Sequence, residues 1–374
     1  MNNPGRLRAK SVRSLRTFKL GLAGVALTLA LLGNNFAVLK RISNNSNNSN
    51  STITKRSNDI SLKSETDIYD ISYSQVQEPD PYTKTHAIFL ISFGKEAAQS
   101  TLVERCVLSL RRRGQWTGHI ILLTDAPPDR YENGWSELNN VTVMHPNEEH
   151  YNGADGKPLS FNRKTMSLKV KRFKTFVLHY IELDERLSDI EVVYYFDIDI
   201  IAGGDLKHLF RGVESEQQWN KHQVRGGGKS TILFFTPISS EYPFQSGTFV
   251  VNRHSSKHCL ELWRREIEHI AGGSLGMDQA ALRNINQQIE AGNETKCSLK
   301  RLENKDFLSF PRNKNFQRIS QSRSYTTLLH LSNSKFAKWI DEEKQNAFLY
   351  SLLQLSGEEI QSGKYGKSVI KFTE

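Results

Sequence analysis

Cysteine is scarce in this chain, with three residues in 374. So few cysteines exclude a disulfide-rich scaffold. Hydrophobic residues make up 37% of the chain and charged residues 24%, which excludes a wholly disordered chain, a collagen and a membrane protein with many spans. At about 150 residues per domain, the length suits two domains or one large α/β domain with appendages.

Positive charge is concentrated at the N-terminus. The net charge is +10, but residues 1–41 hold eight lysines and arginines and no acid, which leaves +2 for the rest of the chain. The remainder therefore lacks the strongly basic character of a nucleic-acid-binding domain, and we expect no nucleic-acid partner.

Only one long apolar run is present, from Leu20 to Leu32. Extended to Leu39, it is long enough to cross a bilayer. Six basic residues precede the run and two follow it, which predicts a cytosolic tail over residues 1–17, a signal-anchor helix over 18–39 and translocation of the rest. A cleaved signal peptide is the alternative, and the protein would then be secreted.

Residues 40–82 are rich in asparagine and serine and poor in apolar residues, so we predict a flexible stem. The N-glycosylation sequons of the chain begin at Asn44, Asn47, Asn50, Asn140 and Asn293. An oxidising lumen would permit one disulfide among Cys106, Cys259 and Cys297. The sequence does not choose the pair.

Residues 83–374 are predicted to form a single globular domain. Apolar runs predict strands over 86–93, 119–125, 140–145 and 191–201, and helical spacing predicts helices over 97–113 and 165–182. This β-α-β-β-α-β order indicates an α/β fold, Rossmann-like, with a mostly parallel sheet flanked by helices. Ligands of such sheets bind outside the carboxyl ends of the strands.

Two carboxylates, Asp197 and Asp199, stand at the end of the strongest predicted strand, separated by one apolar residue. They repel each other, and burial would raise their pKa values unless a cation neutralises them. Hard oxygen ligands suit Mg²⁺ or Mn²⁺, ions that also bind diphosphates. The alternative is that the pair caps the following turn, with its charges solvated.

The segment Tyr194-Tyr195-Phe196-Asp197-Ile198-Asp199 resembles the D-x-D strand of GT-A nucleotide-sugar glycosyltransferases, and is most similar to the glycogenin-like glycosyltransferase family 8. Three later segments resemble further motifs of that family in the same order, and they span residues 244–252, 276–282 and 329–339. The chain departs from the family pattern at Gln245, where asparagine is usual, at Asn333, where glycine is usual, and at Ala337, which precedes Lys338.

The resemblance implies a set of site residues. It assigns the metal, Mn²⁺ or Mg²⁺, to Asp197, Asp199 and His330, and the imidazole favours Mn²⁺. It assigns the catalytic positions to Asp278 and Gln279. The residues implied to contact the nucleotide sugar are Asp197, Asp199, Gly247, Lys169, Arg172, and Lys335 or Lys338.

The activity implied is that of a Golgi type II membrane glycosyltransferase. It would move a hexose or pentose from a UDP-sugar to a lumenal glycan or glycoprotein, with retention of configuration. A non-catalytic lectin-like or scaffolding relative of the same fold is the alternative. A metal-dependent phosphohydrolase or nuclease also uses paired carboxylates, but the sequence has neither a basic globular domain nor a dense His/Asp cluster to support it.

Overall fold

The computed structural model describes most of the predicted globular domain. The described ranges are 81–94, 97, 101–132, 134–152, 171–224, 228–236, 243–270, 277–302, 307–310, 327–331 and 342–361. The predicted tail, the anchor at 18–39 and nearly all of the stem lie outside them, so these boundaries stay predictions. Within the described ranges, no helix is both long and apolar enough to cross a membrane.

A seven-stranded sheet forms the centre of the domain. Its strands are β1 His86–Ser92, β2 His119–Thr124, β3 Val141–Met144, β4 Val192–Asp197, β6 Ser230–Phe235, β7 Thr248–Asn252 and β8 Cys297–Leu302. They lie in the order β3-β2-β1-β4-β7-β6-β8. Neighbouring strands are parallel except at β7, which runs antiparallel to both β4 and β6. The predicted α/β class with a mostly parallel sheet is confirmed.

Helices cover both faces of this sheet. The α-helices are α1 Tyr82–Thr85, α2 Leu102–Arg112, α3 Pro128–Tyr131, α4 Trp135–Asn139, α5 Val177–Leu183, α6 Lys207–Val224, α7 Lys257–His269, α8 Met277–Glu290, α9 Glu342–Leu353 and α10 Gly357–Gln361. Alternate strand residues point to opposite faces. One face packs on α2 and α6 and the other on α5, α7 and α8, so the strands are buried on both sides, as their continuous apolar runs indicate.

The predicted strand over 191–201 is broken, and this part of the prediction was wrong. It ends at Asp197 as β4, turns at Ile198 and Asp199, and resumes as β5, Ile200–Ala202, in a second sheet. That sheet has the order β5-β10-β9, with β9 at Leu308–Ser309 and β10 at Leu328–His330. Apolar periodicity cannot reveal this break, because Ile198 is buried like its strand neighbours.

The predicted helix over 165–182 is also interrupted. Residues 171–173 are helical, Lys174–Phe176 form a 3₁₀ turn, and α5 begins at Val177; residues 165–170 fall outside the described part. At the interruption the Thr175 hydroxyl donates a 2.7 Å hydrogen bond to the carbonyl of Arg172. Such side-chain bonds compete with the helical ladder.

A disulfide joins Cys259 of α7 to Cys297, the first residue of β8, and Cys106 is left as a buried free thiol. The sequence left the pairing of the three cysteines open, and the structure pairs Cys259 with Cys297. The bond fastens an outer strand of the sheet to the helix that packs on it.

The C-terminal helix α9 supports the second sheet. Its apolar residues Phe348, Leu349, Leu352 and Leu353 pack on Ile201, Leu329 and Leu331. Arginines at the end of α2 bind backbone carbonyls at the C-terminal end of α9. Arg113 Nε donates to Leu352 O at 2.9 Å, and Arg112 Nη1 donates to Gln354 O at 3.0 Å. Carbonyls at the end of a helix lack intrahelical partners, so these bonds fix α9 against α2.

Glu359 completes this arrangement. Its two carboxylate oxygens accept bonds from Arg112 at 2.6 and 3.0 Å. It also forms a reciprocal capping box with Ser356, in which each residue accepts a bond from the backbone N–H of the other. The hydrogen bonds from Arg112 hold the pKa of the Glu359 carboxyl at about 2.

We predict that Glu359→Gln lowers the free energy of unfolding at pH 7 by about 1 kcal/mol, because the ion pair is bidentate but partly exposed to water. The folded pKa lies below the ordinary value of 4.5. The ion pair therefore contributes its full stability above that value and loses it as the pH falls toward about 2. Urea unfolding from pH 7 downward should show the two proteins converging in acid. Glu358→Gln, at an exposed neighbour, is the control, and an equal loss from both variants would contradict the prediction.

Candidate metal centre

Three segments meet at the carboxyl end of β4. The backbone N–H of Asp197 donates to Gly247 O at 2.8 Å, which joins the strand end to the residue before β7. The register of β10 on β5 pairs His330 with Ile200, and Leu331 N donates to Asp199 O at 2.9 Å. These backbone hydrogen bonds fix the positions of Asp197, Asp199 and His330 relative to one another. We call these three residues, with the groups that contact them, the cluster.

The side chains of Asp197, Asp199 and His330 form a set of possible metal ligands. One ligand atom from each lies within 4.8 Å of the others, and His330 Nε2 lies 3.1 Å from Asp199 Oδ1. His330 Nδ1 is buried and has no hydrogen-bond partner among the described residues. Two carboxylates and one imidazole suit a divalent ion such as Mn²⁺. The residues present therefore fit the ion that the sequence predicts.

Gly247 lies directly against these ligands. A Cβ atom at this position would stand 2.7 Å from Asp197 Oδ2 and 3.1 Å from His330 Cε1. The first distance is shorter than real contacts allow, so only glycine leaves the carboxylate and the imidazole where they are. Close approach is a recognised reason for glycine beside a strand, and here the approaching groups are the candidate ligands.

Lys174 is a central residue of the cluster that the sequence analysis did not identify. Its Nζ lies 2.9 Å from Asp197 Oδ1 and 3.3 Å from Asp278 Oδ2, and it donates to Ser246 O at 3.2 Å. Its side chain is 4% exposed. The 3₁₀ turn at Lys174–Phe176 carries it to this position. The only signal in the sequence was a stretch of several basic residues, which does not tell which one faces inward.

Asp278 is the second residue of α8 and contacts Lys174. Ser246 Oγ donates to its Oδ2 at 2.7 Å, Gln279 N donates to its Oδ1 at 3.0 Å, and Lys171 Nζ lies 3.7 Å from Oδ1. The residue is 3% exposed. Gln279 is half-buried, and its side-chain amide donates to Gln245 Oε1 at 3.2 Å. Of the two predicted catalytic residues, Asp278 therefore shares Lys174 with Asp197 and is engaged on both carboxylate oxygens, and Gln279 lies beside Asp278.

The charges of the cluster stabilise one another. Burial raises the pKa of the Asp278 carboxyl, but Lys174 and Lys171 outweigh that effect and hold the pKa below its ordinary value. Burial also raises the pKa of Asp199, and His330 outweighs it so that the net shift is downward. Burial lowers the pKa of Lys174, but Asp197 and Asp278 outweigh that effect, so its pKa is raised. Asp199 and Asp278 are therefore held ionised, which for Asp199 is the form that binds a metal.

Arg172 binds protein groups other than the metal ligands, and its predicted contact with the nucleotide sugar stays a prediction. Its Nε donates to Glu268 at 2.7 Å, and its two terminal nitrogens bind the carbonyls of His150 and Asn152. These bonds use all three nitrogens of the guanidinium group. Lys169, Lys335 and Lys338 lie outside the described residues, so their predicted contacts with the nucleotide sugar stay predictions.

No protein family and no curated protein sequence matches the chain. Among solved structures, it is similar to the galactosyltransferase LgtC in complex with donor and acceptor sugar analogues, at 15% identity over 74% of this chain and 99% of LgtC, with a TM-score of 0.43. It is also similar to the apo-form glycosyltransferase GlyE of Streptococcus pneumoniae TIGR4, at 14% identity over 76% of this chain and 64% of GlyE, with a TM-score of 0.43. Both belong to the class of enzyme that the sequence motifs indicate.

We predict that Gly247→Ala weakens Mn²⁺ binding by about 10- to 100-fold, the usual effect of disturbing groups around metal ligands. The added methyl group must displace Asp197 or His330. Isothermal titration calorimetry with Mn²⁺ measures the change. The matched control is Gly357→Ala, because a Cβ atom there meets nothing within 4 Å. Binding by Gly247→Ala as tight as by wild type would show that the cluster does not hold the ion.

Proposed function

We propose that this protein is a metal-dependent glycosyltransferase that transfers a hexose or pentose from a UDP-sugar to a glycan or glycoprotein. The observation that carries the proposal is the convergence of Asp197, Asp199 and His330 within 4.8 Å at the end of β4. The carboxyl edge of a mostly parallel sheet is where α/β folds bind nucleotides. The D-x-D resemblance connects this position with nucleotide-sugar chemistry.

Asp197, Asp199 and His330 would hold the ion. A divalent ion bound there supplies Lewis-acid stabilisation to the departing diphosphate. Asp197 would offer Oδ2, the oxygen beside Gly247, because its Oδ1 is held by the Tyr195 hydroxyl at 2.7 Å and by Lys174 at 2.9 Å. Those two bonds orient the carboxylate. Gly247 leaves room for that oxygen and for the His330 ring.

Lys174 is a positioning residue in this proposal. It neutralises Asp197 and Asp278 at the same time, and it is too deeply buried to serve as a mobile contact to solvent. Removing one partner of a buried ion pair leaves an uncompensated charge and costs several kcal/mol. We infer that Lys174 couples α8 to the metal ligands, and that Lys335 or Lys338 contacts the diphosphate, as the family resemblance implies.

The state of Asp278 favours a retaining mechanism. An inverting enzyme needs a general base within reach of the acceptor hydroxyl, and Asp278 is the candidate that the sequence supplies. Its oxygens accept bonds from Ser246 and Gln279, and the neighbouring lysines lower its pKa. Such a carboxylate is a poor base. In the retaining mechanism that we propose, the leaving diphosphate takes the proton instead.

A lumenal location in the Golgi, with a single N-terminal anchor, completes the proposal. It depends on the apolar run and the flanking charges in the sequence. The Cys259–Cys297 disulfide is independent support for the lumenal location, because disulfides persist in oxidising compartments. The acceptor would then be a lumenal glycan or glycoprotein.

The proposal predicts that UDP and Mn²⁺ bind together. UDP at about 100 times its Kd adds about 2.7 kcal/mol to the free energy of unfolding, which raises the Tm by on the order of 5 °C for a domain of this size. We expect this shift with Mn²⁺ and its near loss in EDTA. Asp199→Asn should abolish the metal-dependent shift and the release of UDP from UDP-sugars, and the exposed Asp189→Asn should not.

Equal shifts with Mn²⁺ and with EDTA would contradict the metal site. If sugar binding were found without transfer or hydrolysis of any UDP-sugar, the lectin-like alternative would replace the enzyme. A screen of UDP-sugars against the purified protein therefore separates the two functions and identifies the donor.

We also predict that an α-linked donor gives an α-linked product, as read from the anomeric proton by NMR. Asp278→Asn should lose part of its rate with the same stereochemistry, because the amide loosens Lys174 without removing a base. Loss of a true general base costs about 10²- to 10⁴-fold. A β-linked product from an α-linked donor would overturn the retaining mechanism.

A further inference from the structure

Two N-glycosylation sequons lie in the described part of the domain, Asn140-Val141-Thr142 and Asn293-Glu294-Thr295. Both asparagines are exposed and lie at turns that follow helices, α4 for Asn140 and α8 for Asn293. Arg111 Nη2 holds the backbone carbonyl of Asn140 at 2.8 Å. The side-chain amide of Asn140 makes only a 3.5 Å contact with Thr117 O, so it is accessible for modification.

Each sequon asparagine lies just before one of the two outer strands of the seven-stranded sheet. Asn140 directly precedes β3, and Asn293 precedes β8, which begins at Cys297. β3 and β8 are the two ends of the strand order. Outer strands present unpaired backbone groups that can pair with a second chain, and proteins usually protect them.

Two further observations favour modification at these edges. Near β3, the side chain of Leu138 is 88% exposed, and a glycan on Asn140 would shield it from other molecules. At the other edge, the first residue of β8 forms the disulfide with Cys259. Disulfides form in the oxidising secretory compartments, where sequons are also glycosylated.

We propose that Asn140 and Asn293 each carry an N-linked oligosaccharide, and that the two glycans cover the outer strands of the sheet. In this reaction the side-chain nitrogen of asparagine forms a bond to the anomeric carbon of an oligosaccharide carried on a lipid diphosphate. The bond from that carbon to the diphosphate oxygen breaks, its electron pair leaves with the lipid diphosphate, and the amide loses one proton. A separate membrane-bound transferase catalyses the step. The inference depends on the lumenal location proposed above and is independent of the catalytic activity.

The test uses the full chain, expressed in secretory cells with Asn44, Asn47 and Asn50 changed to glutamine so that only the two domain sequons remain. Intact mass is measured before and after treatment with peptide N-glycosidase. We expect the enzyme to remove two glycans, and Asn140→Gln and Asn293→Gln each to lose one. An unchanged mass after treatment would overturn the proposal.

The third sequon position offers a control for misfolding. Thr295→Ser keeps the acceptor sequence and should keep the glycan, whereas Thr295→Ala should lose it. Thr142→Ser and Thr142→Val form the same comparison at β3, where valine suits a strand. Loss of the glycan from a serine variant would mean that the change in mass follows disturbed folding, which contradicts the assignment.

A separate measurement, of oligomeric state, tests whether the glycans cover the outer strands. The variant Asn140→Gln/Asn293→Gln should form dimers or larger species with increasing concentration in size-exclusion chromatography with light scattering, while the glycosylated protein stays monomeric. Two monomeric proteins would refute the protective role. The UDP-dependent thermal shift, measured on the same samples, shows separately whether the proposed function holds.

Discussion

Three carboxylates, Asp197, Asp199 and Asp278, lie around the end of β4, and their mutual repulsion must be offset within the protein. Lys174 contacts Asp197 and Asp278, at 2.9 and 3.3 Å, and His330 contacts Asp199 at 3.1 Å. Buried charges are tolerated only when paired. The helix that carries Asp278, the turn that carries Lys174 and the strand that carries His330 must therefore keep their positions together.

This requirement explains features that are irregular in isolation. The strand is interrupted by a turn between β4 and β5. Because of this turn, Asp199 lies beside His330 and does not continue along the seven-stranded sheet. The 3₁₀ turn at Lys174–Phe176 interrupts a helix at the residue that must reach two carboxylates. Interruptions of this kind are common where function imposes a local constraint. Gly247 belongs with them, because any side chain there would collide with Asp197.

The second sheet and the C-terminal helix have a related part. His330 ends a strand of three residues, which is too short to hold its position without support. β5 pairs with it on one side and β9 on the other. Leu329 and Leu331, the residues flanking His330, pack on α9, and arginines of α2 fix the end of that helix. The position of the candidate ligand His330 thus depends, through α9, on arginines of helix α2, which lies far earlier in the sequence.

Local apolar runs and a short motif were enough to predict the α/β class, most of the strands and the acidic pair. The resemblance to a family also indicated His330, Gly247, Asp278 and Gln279. In the structure His330 and Gly247 lie beside Asp197, and Asp278 shares Lys174 with it. Which basic residues face the carboxylates depends on the fold. Lys171 and Lys174 lie near Asp278, whereas Arg172 binds Glu268. All three belong to one basic stretch of the sequence, and their different directions follow from a local break in the helix and from distant partners. The same reason left the disulfide open until folding paired Cys259 with Cys297, since a contact across 38 residues is set by packing and not by local pattern.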